Sequence, residues 1–389
     1  MDVVKLLQEM IRIPSPSGRE GELARYVRDA LGGVGIDKAW IDGLGNVVAS
    51  VKGGGLGSVV LEGHLDTVDV GDLGSWGVEP FSGVVVGGRV YGRGAADMKG
   101  SIAAQVASLE GLDPLDIDLY LVYTVHEETA EGVAFSYALN ESLGGLRPGA
   151  VVIGEATSLN LGVGHRGRAV VRVEILGRSA HASMPSEGVN ALYGLSELVS
   201  KLKGVKLREH PVLGGETAVA TVADCSPKVV PQIPDRCAAY VDYRVVLGTT
   251  EADVTNTLRG LCREVVRAGH ALECEVRINE EVLKCWTGRE VRAHEFFPPW
   301  LSVNEEVVRG CLKALSSVNP SVRTYVWRFS TDGVFSAGTA GYLTLGFGPA
   351  DEVMAHKPNE YVEVKQLVRA VKGYRLLLRA LETYVAKRR

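Results

Sequence analysis

Apolar and polar positions change their period along this chain, and each change predicts a different kind of element. Residues 2–33 repeat with helical spacing on both sides of Ile13-Pro14-Ser15-Pro16-Ser17-Gly18, which predicts two helices broken by a turn. A strand is expected at 46–51. A buried strand follows in Ser58-Val59-Val60-Leu61-Glu62-Gly63-His64-Leu65-Asp66, an apolar run that ends in polar residues. Residues 69–94 are rich in glycine with scattered apolar pairs, as in a hairpin, and 97–110 read as helix. The runs at 118–125 and 150–153 are nearly continuous and apolar. They end in His126-Glu127-Glu128 and in Gly154-Glu155. Short buried runs alternating with helices predict α/β layers around a mixed, largely parallel sheet. Three of these runs place polar residues just beyond the strand ends, where ligands bind in open α/β sheets.

From about Gly167 the period becomes that of half-exposed strands, at 169–176 and 237–246, with amphipathic helices at 190–203 and 251–268. This predicts a small α+β domain inserted into the first. Residues 280–300 read as a connection. The helix–strand alternation then resumes through 305–318, 322–329, 342–346 and 362–387. The expected division is 1–166 with 280–389, and 167–279 as the insertion. No repeat or low-complexity tract interrupts it.

Composition narrows the function classes. A chain of 389 residues suits one large and one smaller domain, and 46% apolar with 23% charged residues is ordinary for a soluble protein. The net charge of −5 argues against nucleic acid or an anionic membrane as the main partner. No apolar run has the length of a membrane span, and the first residues do not read as a secretory signal, so a cytoplasmic location is expected. The six cysteines, Cys225, Cys237, Cys262, Cys274, Cys285 and Cys311, form no close pair; reduced buried thiols are the default expectation, with a disulfide or two as the alternative. Only four Gln occur, which is compatible with a heat-adapted source.

His64, Asp97, Glu127 with Glu128, Glu155 and His356 are the candidates for chemistry. Zinc takes nitrogen from histidine and oxygen from carboxylates, and a pair of zinc ions needs a shared carboxylate and further ligands on each side. His64, Asp97, Glu128, Glu155 and His356 meet that need. Glu127 remains beside the metals as a carboxylate able to take a proton from water. Asp66 is placed to hold the other nitrogen of His64 and orient its ring. Each residue alone also has a plain structural reading: Asp97 as a helix cap, Glu155 as a turn cap, the Glu pair and His356 as surface. Spacing alone does not decide between them.

Six stretches resemble, in order, the zinc exopeptidase family of acetylornithine deacetylase and succinyl-diaminopimelate desuccinylase. They are Gly63-His64-Leu65-Asp66-Thr67-Val68, Tyr91-Gly92-Arg93-Gly94-Ala95-Ala96-Asp97-Met98-Lys99-Gly100, His126-Glu127-Glu128, Gly154-Glu155-Ala156-Thr157, Ser179-Ala180-His181-Ala182-Ser183-Met184-Pro185 and Ala355-His356-Lys357-Pro358-Asn359-Glu360. The stretches at 40–48, Trp76 with Pro80-Phe81, 329–333 and 346–349 resemble the YgeY-type branch of peptidases in particular.

The resemblance implies a zinc-exopeptidase-type catalytic domain, its mixed sheet between helices, with an inserted α+β lid that forms a homodimer. It implies two Zn²⁺ per chain, with Co²⁺ able to substitute. Asp97 would bridge them, His64 and Glu155 completing one site and Glu128 and His356 the other. Glu127 would be the general base and Asp66 the orienting acid, and the Asp97–Met98 peptide bond would be cis. His181 would reach a partner's active site and stabilise the oxyanion. Arg166 and Arg244 would hold substrate carboxylates, and Ser330 and Thr331 would lie in the pocket loop.

Two departures stand out. Pro231-Gln232-Ile233-Pro234 replaces a family Asn-x-Ile-Pro, and Glu155-Ala156-Thr157 replaces Glu-Pro-Thr. The expected activity is hydrolysis of an amide in an N-acyl amino acid or short peptide. The alternatives are a biosynthetic deacylase of acetylated or carrier-linked ornithine or lysine and, in another class, a metal-free binding protein.

Overall fold

The computed structural model describes residues 1–387 and divides into two compact units. The first comprises Met1–His165, Val282–Val291 and Trp300–Arg389; the second comprises Arg166–Glu281 and Arg292–Pro299. Arg166 therefore begins the second unit. Part of the expected connection also belongs there, because Phe296–Phe297 pairs with Gly167–Leu176 as an added strand of its sheet.

The first unit is built on a mixed sheet. Its central strands run parallel in the order Asp118–Thr124, Ser58–His64, Ala150–Ile153, Thr344–Gly346. Val47–Val51 and Lys38–Ile41 extend one side through antiparallel pairings; on the other, Leu161–His165 pairs antiparallel with Thr344–Gly346 and Trp300–Leu301 and parallel with Thr324–Trp327. Every residue of Ser58–His64 is buried. Its alternate side chains serve two cores, so the strand reads as a continuous apolar run. Val59 and Leu61 face helices that include Val3–Ile11, Lys99–Leu109 and Val364–Ala386. Val60 joins Val122, Val151 and Ile153 against Phe135, Leu139 and Trp327. The helix Lys99–Leu109 is buried along its whole length, which explains its small and apolar composition.

In the second unit an antiparallel sheet runs in the order Thr217–Ser226, Arg236–Val245, Gly167–Leu176, Glu273–Ile278. Gly167–Leu176 alternates buried and half-buried positions, and Val171, Val173 and Ile175 pack under the helices Ala191–Leu202 and Glu251–Arg267. Thr250 and Asp253 cap the second helix reciprocally.

The default expectation of reduced thiols is corrected here in favour of its alternative, with two disulfides present. Cys225 and Cys237 are directly opposed in paired strands, with Cα atoms 4.1 Å apart, and are bonded. Cys262 on the helix and Cys274 on the strand beneath it are also bonded, at a Cα separation of 5.4 Å. A twelve-residue spacing in each pair gave no local sequence signal, because the partners meet only through strand register and helix packing. Cys285 and Cys311 are free and buried. No helix among the described residues is long and apolar enough to cross a membrane.

Candidate metal centre

Three adjacent parallel strands end at one edge of the first unit's sheet and deliver its acidic and imidazole side chains there. His64 is the last residue of Ser58–His64. Beyond Asp118–Thr124 the backbone of His126 turns into the left-handed region at φ 59°, redirecting Glu127 and Glu128. Glu155 follows Ala150–Ile153. His356 comes from a loop between the turn Glu352–Met354 and the strand Tyr361–Glu363, itself at φ 62°. Asp97 precedes the helix Lys99–Leu109, and the Asp97–Met98 peptide bond is cis.

These elements converge on Asp97. Its Oδ1 lies 3.0 Å from His64 Nε2 and its Oδ2 lies 3.2 Å from His356 Nε2. Glu155 Oε1 is 3.3 Å from His64 Nε2, and Glu128 Oε2 is 2.8 Å from His356 Nε2. Glu127 Oε2 stands 4.0 Å from His64 Nε2. Ligand atoms of His64, Asp97 and Glu128 all lie within 4.8 Å of one another, as do those of His64, Glu127 and Glu155. The helix after Asp97 starts from Met98 with no side-chain cap bond, and Glu155 faces an imidazole.

Crowding buried carboxylates shifts their protonation. Burial, with the charge of Asp97, pushes Glu128 and Glu155 each up to about 7. Glu127 is raised well above the carboxylate range by burial, against the pull of His64. Burial would also raise Asp97, but its bonds to His356 and His64 hold it below the usual range. Those to Asp97 and Glu128 lift His356 to about 10. Burial opposes the charge on His64, and its acidic neighbours outweigh that and raise it. Glu127 Oε1, Glu128 Oε1 and Glu155 Oε2 are buried with no hydrogen-bond partner. Oxygens left bare in this way, beside two imidazoles and a carboxylate with both oxygens engaged, suit hard or borderline divalent cations.

Asp66 does not take the expected position. The Nδ1 atom of His64 meets the Asp66 carbonyl oxygen at 2.9 Å, while the carboxylate is 3.6 Å away. That carboxylate instead accepts the backbone N–H groups of Glu127 and Glu128, both at 3.1 Å, and the Ser17 hydroxyl at 2.6 Å. The ring is oriented by main chain, and the acid holds the Glu127-Glu128 turn.

Ser330 and Thr331 are almost wholly buried. Ser330 donates to Glu131 at 2.5 Å. The Thr331 hydroxyl lies 3.0 Å from His165 Nε2 and accepts the Gly333 N–H, so it supports the loop from within.

His181, Arg166 and Arg244 belong to the second unit. His181 is exposed, and its Nδ1 lies 2.7 Å from the Ser183 hydroxyl and 3.2 Å from the Ser183 backbone nitrogen. Arg244 makes a two-pronged pair with Asp242, at 2.8 and 3.1 Å. Arg166 donates to the Gly215 carbonyl, and burial with the charge of Arg244 lowers its pKa.

Sequence reasoning assigned no role to Glu62, Arg93, Glu131, Asp332 and Glu360, which are all buried in the first unit. Buried charge was the missing signal, and only Arg93, Asp332 and Glu360 of these lay inside quoted motifs.

The sequence profile of Peptidase family M20/M25/M40 matches residues 60–380. The uncharacterized protein YgeY of Escherichia coli (strain K12) is 30% identical over 383 residues, covering 96% of this chain and 93% of its own. A protein of Pyrobaculum aerophilum, named as a LysW-lysine/LysW-ornithine hydrolase, is 28% identical over 385 residues, 98% of each chain. Among solved structures, the M20 family metallo-carboxypeptidase Sso-CP2 of Sulfolobus solfataricus superposes with a TM-score of 0.75 at 18% identity, over 98% of this chain and 100% of that one.

Proposed function

The chain belongs to peptidase family M20/M25/M40, and on that footing we propose that it is a di-zinc hydrolase cleaving an amide of an N-acyl amino acid or short peptide. The observation that carries this reading is the two-sided engagement of Asp97, one oxygen toward His64 and the other toward His356. Asp97, His64 and Glu155 would hold one cation, and Asp97, Glu128 and His356 the other, with Co²⁺ able to replace Zn²⁺. When bound, the cations supply Lewis-acid polarisation of the carbonyl and a more acidic water. Glu127 takes the proton of the attacking water and passes it to the departing amine. A raised affinity for protons in the buried Glu127 suits that exchange. Asp66 fixes the turn that carries Glu127.

The second unit acts as a lid and dimerisation domain in this reading. His181, an exposed imidazole of this unit, would donate to an oxyanion in a partner's site. Arg166 and Arg244 offer guanidinium groups to a substrate carboxylate. A full ligand set with a spare base argues against a metal-free binding protein. A cytoplasmic location is retained, and the two disulfides then fit a heat-adapted cell, where intracellular disulfides persist.

A second reading, a deacylase of acetylated or carrier-linked ornithine or lysine, is favoured by Glu131. This buried carboxylate bonds Ser330 and lies close enough to Glu127 to raise its pKa, so it would suit a cationic side chain. The relative from Pyrobaculum aerophilum bears a name of that kind. Elemental analysis of zinc-saturated protein tests the metal reading, with about two ions per chain expected and none overturning it. A panel of N-acetyl, N-succinyl and N-formyl amino acids against dipeptides tests the substrate. Preference for N-acetylornithine or N-acetyllysine would select the second reading.

A further inference from the structure

Behind the ligands lies a buried ion pair that the proposed chemistry leaves unused. Glu360 is fully buried and Arg93 is 2% exposed. The strands Arg89–Tyr91 and Tyr361–Glu363 are paired, which brings the two residues together at their ends. Arg93 Nη1 donates to Glu360 Oε2 at 2.7 Å. The other Glu360 oxygen, Oε1, accepts the backbone N–H groups of Ala96 and Asp97 at 2.8 and 3.0 Å. Arg93 also donates to the Lys357 carbonyl at 3.4 Å and, through Nη2, to the Asp69 carbonyl at 3.1 Å. The ring of Trp76 lies 5.3 Å from its guanidinium carbon.

The pair therefore touches the segment after His64, the residue Asp97 itself, and the loop of His356. His64 already sits at the end of a fully buried strand with its Nδ1 bonded to main chain. His356 has neither support: its side chain is 52% exposed, on a loop rather than a strand. Its position relative to Asp97 depends on what ties that loop to the Asp97 backbone, and Glu360 does so four residues downstream.

We propose that Glu360, locked by Arg93, is the positioning residue that sets the distance between Asp97 and His356, and so governs the affinity of the Glu128–His356 metal site selectively. This rests on the two-metal reading. Second-layer partners of ligands change metal affinity by on the order of 10–100-fold, although they touch no ion. An amide in place of the Glu360 carboxylate removes the charge facing Arg93. A lysine at 93 keeps charge but loses the planar fork that reaches Glu360, Lys357 and Asp69 together.

Metal-free protein titrated with Zn²⁺, followed by calorimetry and elemental analysis, tests this. Wild type should take two equivalents. Glu360→Gln should weaken one equivalent, the one that contains His356, by on the order of 10–100-fold and keep the other, with the thermal transition of the metal-free protein reporting its fold. His356→Ala should lose that same equivalent, and combining it with Glu360→Gln should weaken the remaining site no further. Should Glu360→Gln not fold, Arg93→Lys carries the test, with a smaller loss in the same equivalent expected. Fewer than two equivalents in wild type would bring down the two-metal reading and this inference with it. Two equivalents in wild type, with the folded variant binding both unchanged or both equally weakened, would overturn this inference alone.

Discussion

Ser17 donates its hydroxyl to the Asp66 carboxylate at 2.6 Å, completing a set of three donors that also includes the backbone N–H groups of Glu127 and Glu128. Asp66 is wholly buried, so truncation would strand those donors away from water. Asp66→Ala should destabilise the protein by about 1–3 kcal/mol. Asp66→Asn, which keeps one acceptor, should cost less. Denaturant unfolding of the metal-free protein measures both, and equal stability in all three would show that the turn finds other partners.

Glu127→Gln should abolish turnover while bound metal stays near two per chain. The amide keeps the shape and loses the base. Both glutamates of the pair lie close to His64, so metal content decides which is the ligand. Loss of an ion in this variant would exchange the roles of Glu127 and Glu128.

Metal affinity should rise with pH across the neutral range. In the metal-free site His356 titrates at about 10 and Glu128 and Glu155 at about 7, so at neutral pH the site holds protons that an arriving cation must expel. Affinity should fall steeply as pH drops below 7. Calorimetry in buffers of different ionisation enthalpy should show proton release on Zn²⁺ binding at pH 7. Binding without release would mean that the imidazole and carboxylates are already deprotonated.

The Cys262–Cys274 bond ties a helix to its supporting strand across a twelve-residue separation. Reduction, or Cys262→Ser with Cys274→Ser, should cost about 3 kcal/mol of stability through the freedom returned to the unfolded chain. The thermal transition should move down accordingly. An unchanged transition under strong reductant would place the stability of the second unit in its apolar core alone.

His181→Ala should lower kcat far more than it raises KM, because the donor acts on charge that develops during the reaction. The hydrodynamic mass should be that of a dimer. An active monomer would remove His181 from a partner's site.

The sequence by itself determined the two kinds of layer and singled out the residues proposed as ligands. Buried parallel strands must be apolar on both faces, so Ser58–His64, Asp118–Thr124 and Ala150–Ile153 announced themselves, and the polar residues just past them marked the edge where a ligand sits. The alternation in Gly167–Leu176 likewise marked a sheet covered on one side. Tertiary structure alone decided what each polar atom faces. The Asp66 carboxylate turned from the ring of His64 to the Glu127-Glu128 backbone, and Thr331 turned inward to His165. Glu360 met Arg93 across more than 260 positions, and Cys225 met Cys237 through strand register. Period along the chain reports which side chains leave water. The partner that satisfies a buried charge or thiol is set by contacts between distant segments, and these exist only once the chain has folded.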